Sequence, residues 1–319
     1  MHNNHTLLPH QSPIPFLTDG GLETTLVFHK KLELPCFAAF PLLKDPAGRE
    51  LLRDYYHTYA RLALRYGVGF VLESTGWRGN PDWAEKLGYS PKELEEANRD
   101  GIRLMHEVLG AHETAASPMI VSGAVGPRGD GYRMGATMSP DEAASYHAPQ
   151  IRTYRDAGAD LVSAFTLTYA GEALGIANAA ADLGIPSVIS FTLETNGRLP
   201  SGQSLDEAIG LVDAQATNAP AYYMINCAHP THFASKLPMG AAWLERIVGL
   251  RANASCRSHA ELDESPDLDA GDPAELGRQY RYLRRILPRL NVLGGCCGTD
   301  DRHLEAICEH CLEPTAKAA

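Results

Sequence analysis

The chain of 319 residues is short of several things, and each shortage excludes a class of protein. No segment offers the ~20 uninterrupted apolar residues that cross a bilayer. Even the apolar stretch 173–189 is broken by Asn178, Asp182 and Gly184. Cations are outnumbered, 28 Lys+Arg against 39 Asp+Glu, for a formal net charge of −11. That balance argues against a nucleic-acid partner, whose phosphates it repels at long range. The opening residues Met1-His2-Asn3-Asn4-His5 carry neither the basic start nor the apolar core of a signal peptide, so a soluble cytoplasmic protein is expected. Internal repeats and low-complexity linkers are missing as well. Cysteines number seven, an odd count in a long chain, which argues against a disulfide framework and for free thiols available to a metal or to chemistry.

What is present is a globular composition, 44% hydrophobic and 21% charged, incompatible with a disordered chain. Short apolar runs alternate with amphipathic helical stretches. Strands are expected at 14–18, 69–72, 119–123, 160–164, 187–192, 221–225, 246–250 and 291–294, each with the continuous apolar character of a buried parallel strand. The helix starts are marked. Ser90-Pro91-Lys92-Glu93, Ser139-Pro140-Asp141-Glu142 and Asp272-Pro273-Ala274-Glu275 each pair a capping residue with a proline and a glutamate; Ser204-Leu205-Asp206-Glu207 is the same box without proline. Gly158 and Gly184 stop helices just before strands. Eight such alternations predict an α/β protein, a (β/α)8 TIM barrel in a single domain spanning 1–319 with a core of about 15–310. An open doubly wound sheet is the alternative. Against it, the turn Thr18-Asp19-Gly20-Gly21-Leu22-Glu23 lacks the glycine spacing of a dinucleotide fingerprint.

In a barrel, chemistry belongs at the C-terminal ends of the strands. The last strand ends in Gly294-Gly295-Cys296-Cys297-Gly298-Thr299 and the sixth in Asn226-Cys227. One strand separates them, so Cys227, Cys296 and Cys297 are placed to converge. Three thiolates suit Zn2+, and three ligands leave a fourth position open. The flanking glycines allow the bend that two adjacent cysteines need to reach one ion. The plain alternative is three buried apolar cysteines. Rival groupings are Cys308-Glu309-His310-Cys311 on one helix face, Cys256 with His259 in a loop after strand seven, and His229 or His232 as a fourth ligand. Cys36 has no partner in view.

Asp19-Gly20-Gly21, Asn226-Cys227 and Gly294–Thr299 together resemble the homocysteine S-methyltransferase family, which includes betaine– and S-methylmethionine–homocysteine methyltransferases. The resemblance runs from about Pro15 to Ile307. It implies a zinc-dependent barrel enzyme in which Cys227, Cys296 and Cys297 hold the metal, a small-molecule thiol such as homocysteine takes the open position, and its sulfur attacks the methyl group of a small sulfonium or ammonium donor, forming methionine. Asp19 matches the family's anchor for the substrate amino group. Two departures stand out. Phe165 occupies the place of a glutamate that also grips that group, and Glu73 ends strand two where the family carries an uncharged residue.

Glu73 is therefore expected to replace the lost carboxylate or to mark a different thiol; the alternative is a pairing with Arg78 or Arg128. Glu194 is a second surplus carboxylate, expected on a surface loop. Candidate catalytic residues are Asp19 and Glu73, and candidate substrate contacts are Asp19, Gly20, Glu73, Thr75, Phe165 and Asn226. Trp77, Trp83, Tyr222 and Tyr223 are candidates for an aromatic box around an onium methyl group. The competing reading from another class is a barrel with a structural zinc that serves as a thiol- or metal-binding protein; a third is a different zinc reaction such as hydrolysis. Oligomeric state is not legible.

Overall fold

All eight expected segments form strands. The computed structural model describes residues 7–312 except 264 and 266; residues 1–6, on which the reading of the chain's start partly rests, lie outside the described residues. The strands are β1 (Phe16–Leu17), β2 (Gly69–Glu73), β3 (Met119–Val125), β4 (Leu161–Leu167), β5 (Ser187–Phe191), β6 (Tyr222–Asn226), β7 (Ile247–Ala252) and β8 (Val292–Gly295). They run parallel in sequence order, and β8 pairs with β1 to close the barrel. The open doubly wound alternative falls away. Boundaries differ from expectation by a few residues, most of all at β1, which keeps two residues. Its flanks still bond: Phe16 donates to the Asn291 carbonyl at 2.7 Å and Thr18 to the Leu293 carbonyl at 3.0 Å.

Alternating side chains build two cores. Phe16, Val71, Ile120, Leu161, Val188, Tyr222 and Val292 fill the lower interior. The opposite faces join the helices in a larger outer core. Ser90, Ser139 and Ser204 each form the expected capping box, and Asp272 caps Ala274 and Glu275. Gly158 and Gly184 take the left-handed conformation that ends their helices, at φ 91° and 70°. Among the described residues, no helix is long and apolar enough to cross a membrane.

Towards the C-terminal mouth the interior turns polar, through Glu73, Ser122, Ser163, Ser190 and Asn226, all buried. β4 carries an irregularity between Ala164 and Leu167, where Thr166 sits at φ 62°, a costly conformation for a β-branched residue. Asn226 holds it: Thr166 N–H donates to Asn226 Oδ1 at 2.9 Å, and Asn226 Nδ2 donates back to Thr166 Oγ1 at 2.9 Å.

On the outer face of β3, Gly123 lies against the buried Tyr154 ring, with no room for a methyl group. Gly123→Ala is expected to lower stability by about 1–3 kcal/mol through overpacking, measured as a lower denaturant midpoint at unchanged slope.

Candidate active site

Cys227 follows β6 and Cys296–Cys297 follow β8, and β7 stitches the two loops together. Cys227 N–H donates to the Arg251 carbonyl at 3.1 Å, Cys296 N–H to the Ala252 carbonyl at 2.8 Å, and Ala254 N–H to the Cys297 carbonyl at 3.0 Å. Cys227 is held at φ 51°, a non-glycine residue in a strained conformation of the kind found at functional sites. The three sulfurs lie within 4.8 Å of one another. Cys227 and Cys296 are joined as a disulfide, with Cα atoms 5.5 Å apart, and Cys297 Sγ is 4.0 Å from Cys227 Sγ. This corrects the expectation that every thiol is free.

The donor set nevertheless fits a soft cation, being all sulfur and tightly converged. Burial pushes the remaining Cys297 thiol up to about 11, so it stays neutral until a cation draws off its proton. Among the described residues no other group of three His, Cys, Asp or Glu side chains is close enough to hold one ion. The rivals fall away. Cys308 is buried in the outer core. Cys256 is turned to solvent, and its carbonyl accepts from His232 Nε2 at 2.8 Å. His229 Nδ1 caps its own short helix at Thr231.

The DGG and GGCCGT segments are tied together. Gly21 N–H donates to the Thr299 carbonyl, and Gly295 N–H to the Asp19 carbonyl, both at 3.0 Å. A Cβ on Gly20 would strike Tyr59 and the Thr299 backbone, so glycine is required by close approach. Asp19 is not free. Its Oδ1 lies 2.7 Å from Arg251 Nη2 and its Oδ2 accepts from the Tyr55 hydroxyl at 2.9 Å. Burial pushes the Asp19 carboxyl up, against the pull of Arg251 and Tyr55.

Glu73 faces the same cavity. Its Oε1 accepts from Ser163 Oγ at 3.1 Å, whereas its buried Oε2 has no partner. Burial raises its pKa to about 7, opposed by Arg251. Neither expected alternative partner reaches it. Arg78 is sandwiched between Trp77 and Trp83, 4.1 and 4.0 Å from their rings, and Arg128 pairs with Asp82 at 2.8 Å.

Phe165 lines the cavity with its ring 5.0 Å from the Arg251 guanidinium. Asn226 also lines it, with its amide engaged by Thr166 and Ser190. Thr75 lies outside the cavity, beside Gly101 of the helix Pro91–His112, because the chain turns away once β2 has ended. The aromatic box does not assemble. Adjacent strand residues face opposite ways, so Tyr222 sits in the lower barrel interior and Tyr223 faces outward to Asp213. Glu194 belongs to a tight turn with Arg198.

Three residues escaped the sequence reading. Arg251 lies one residue past the strand expected at 246–250 and inside the observed β7. Glu23 lines the cavity with its pKa raised to about 7, chiefly by burial. Tyr132 comes from the glycine-rich loop after β3, and its hydroxyl lies 3.5 Å from Cys297 Sγ and 3.6 Å from Cys227 Sγ. The glycine density of that loop was the available signal.

Residues 16–311 match the family model described as homocysteine S-methyltransferase. The chain belongs to the homocysteine S-methyltransferase family. It is 29% identical over 205 residues to the homocysteine S-methyltransferase of Escherichia coli (strain K12), a match covering 61% of this chain and 64% of that relative's length. Its fold is similar to that of the homocysteine methyltransferase MmuM from Escherichia coli. The TM-score is 0.72 for the oxidised form at 20% identity, covering 94% of this chain and 97% of that one. For the metallated form it is 0.69 at 19% identity, covering 93% and 96%. At these identities the likeness speaks for the fold.

Reduced protein is expected to take up one zinc ion per chain, and protein kept oxidised to take up none, by elemental analysis after gel filtration. Cys297→Ser is expected to lose the metal even when reduced; full occupancy in that variant would defeat the ligand assignment.

Proposed function

We propose that this family member is a zinc-dependent thiol S-methyltransferase, acting as one barrel domain in the cytoplasm on a thiol of the homocysteine type. The observation that carries the reading is the convergence of three sulfurs at a barrel mouth that also presents a buried, unpartnered carboxylate oxygen. Zinc held by Cys227, Cys296 and Cys297 would supply the Lewis acidity that keeps a thiol deprotonated at neutral pH. The remaining work falls to the chain. Glu73 Oε2 receives the substrate ammonium, in place of the carboxylate that Phe165 has displaced. Phe37, Trp77 and Phe165 wall the cavity and exclude water. Tyr132 hangs over the sulfurs and restricts the angle from which a donor enters. Transfer then needs only alignment: the substrate sulfur supplies the electron pair of the new S–CH3 bond, and the pair of the broken bond leaves with the donor, which departs neutral.

A second cavity, of about 340 Å³, adjoins the first across Tyr132 and Cys297. Phe28, Phe37, Asp130 and Asp269 line it together with Arg78, so its rings suit the methyl end of a small sulfonium or ammonium donor while its charges are mixed. The structural-zinc reading asks for a fourth protein ligand, whereas the cysteine cluster has three members among the described residues.

A matrix of thiols against S-methylmethionine, betaines and S-adenosylmethionine with zinc-loaded protein is expected to give a methylated thiol; none from any pair would defeat the proposal. Because the Glu73 pKa is raised, its carboxylate fills above about pH 7 and is lost below it. The preference for homocysteine over its des-amino analogue is therefore expected to fall as pH drops through 7. Glu73→Gln should remove that preference, about tenfold or more for one charge-assisted hydrogen bond, and flatten its pH profile.

A further inference from the structure

We infer that Arg251 determines which head group the thiol substrate carries: it has taken Asp19 as its own counter-ion, and it pairs with Glu73 to read a zwitterion, ammonium at Glu73 and carboxylate at Arg251. The inference deepens the proposed function and rests on it.

Four observations carry it. First, both oxygens of Asp19 are engaged inside the protein, Oδ1 by Arg251 and Oδ2 by Tyr55. The Asp19–Arg251 pair is almost fully buried, at 4% and 10% side-chain exposure. An ammonium group brought to Asp19 would stand against the guanidinium in a medium that screens poorly. Second, Glu73 differs in having no ion pair among the described residues: its Oε2 is buried without a hydrogen-bond donor, and the residue faces the cavity. Such an atom is costly unless a ligand supplies the missing hydrogen bond. Third, the hydrogen bonds of Arg251 run through Nε, to the Gly295 carbonyl at 3.0 Å, and Nη2, to the Gly20 carbonyl at 3.2 Å. Among the described contacts Nη1 has none, and Arg251 lines the same cavity as Glu73 and the cysteines. Fourth, Phe165 lies against the guanidinium. It shields that charge from water and leaves Nη1 for a carboxylate. Glu73 and Arg251 thus face one cavity, the first as an ammonium subsite and the second as a carboxylate subsite.

Two deletion analogues test this. 4-Mercaptobutanoate is homocysteine without its ammonium, and 3-aminopropane-1-thiol is homocysteine without its carboxylate. Binding of the three thiols to zinc-loaded protein is measured by calorimetry, so the result does not depend on turnover. Wild type is expected to bind homocysteine at least about tenfold more tightly than either analogue. In E73Q the disadvantage of mercaptobutanoate disappears and that of aminopropanethiol remains; R251K reduces the disadvantage of aminopropanethiol. D19N, whatever it does to affinity in general, keeps the preference for an ammonium group. Equal affinities of the three thiols in wild type, no thiol binding, or an ammonium preference abolished by D19N and kept in E73Q would each overturn the inference. The wild-type comparison stands even if an Arg251 variant fails to fold. A correct binding pattern without methyl transfer to any thiol would defeat the proposed function and leave the head-group assignment in place.

Discussion

One buried guanidinium organises the mouth of this barrel. Arg251 reaches across the interior from β7 to Asp19 after β1, and donates to the backbone of Gly20 and Gly295 on the way. Its own carbonyl, and that of Ala252 beside it, hold Cys227 and Cys296. The same two residues therefore fix the loops after β1, β6 and β8 relative to one another. Removing one partner of such a buried pair strands the other charge, at a cost of about 3–5 kcal/mol. An arrangement this expensive to disturb anchors the loops that bring the three sulfurs together.

The rest of the site answers to that constraint. Asp19 is tied to Arg251 through one oxygen and to Tyr55 through the other. The interior still holds a second carboxylate, Glu73, whose burial raises its pKa and whose outer oxygen lacks a donor. In the proposed function the substrate ammonium would satisfy it. The backbone strain at Thr166 and Cys227 lies on either side of Asn226, which bonds one and precedes the other. Strain at a strand terminus is sustained only where neighbours over-determine it, and here a side-chain amide does so at Thr166 and a β7 carbonyl at Cys227.

The barrel was legible because its signals are local. Capping boxes, helix-ending glycines and apolar runs each act within a few residues, and eight strand–helix alternations leave little freedom of topology. The convergence of the three cysteines was legible for a related reason: strand ends of a closed barrel come together, which brings Asn226-Cys227 towards Gly295-Cys296-Cys297. Long-range pairings were not legible. That Asp19 faces a guanidinium depends on Arg251 pointing inward, and a register shift in β7 between Tyr223 and Met224 of its partner strand hides that orientation from simple alternation. Tyr132 reaches the sulfurs from a loop whose path no periodicity dictates. The expected aromatic box failed on a rule the sequence does contain, since Tyr222 and Tyr223 are neighbours in one strand and cannot share a face. Thr75 failed because β2 ends at Glu73, where alternation stops.

The central claim is that three protein sulfurs hold a metal and leave one position for the substrate sulfur. X-ray absorption at the zinc edge of the reduced, zinc-loaded protein tests it directly by counting sulfur ligands. The account predicts three sulfurs and one lighter atom in the free protein, becoming four sulfurs when homocysteine is added. A count that homocysteine leaves unchanged, or four protein sulfurs from the outset, would contradict it.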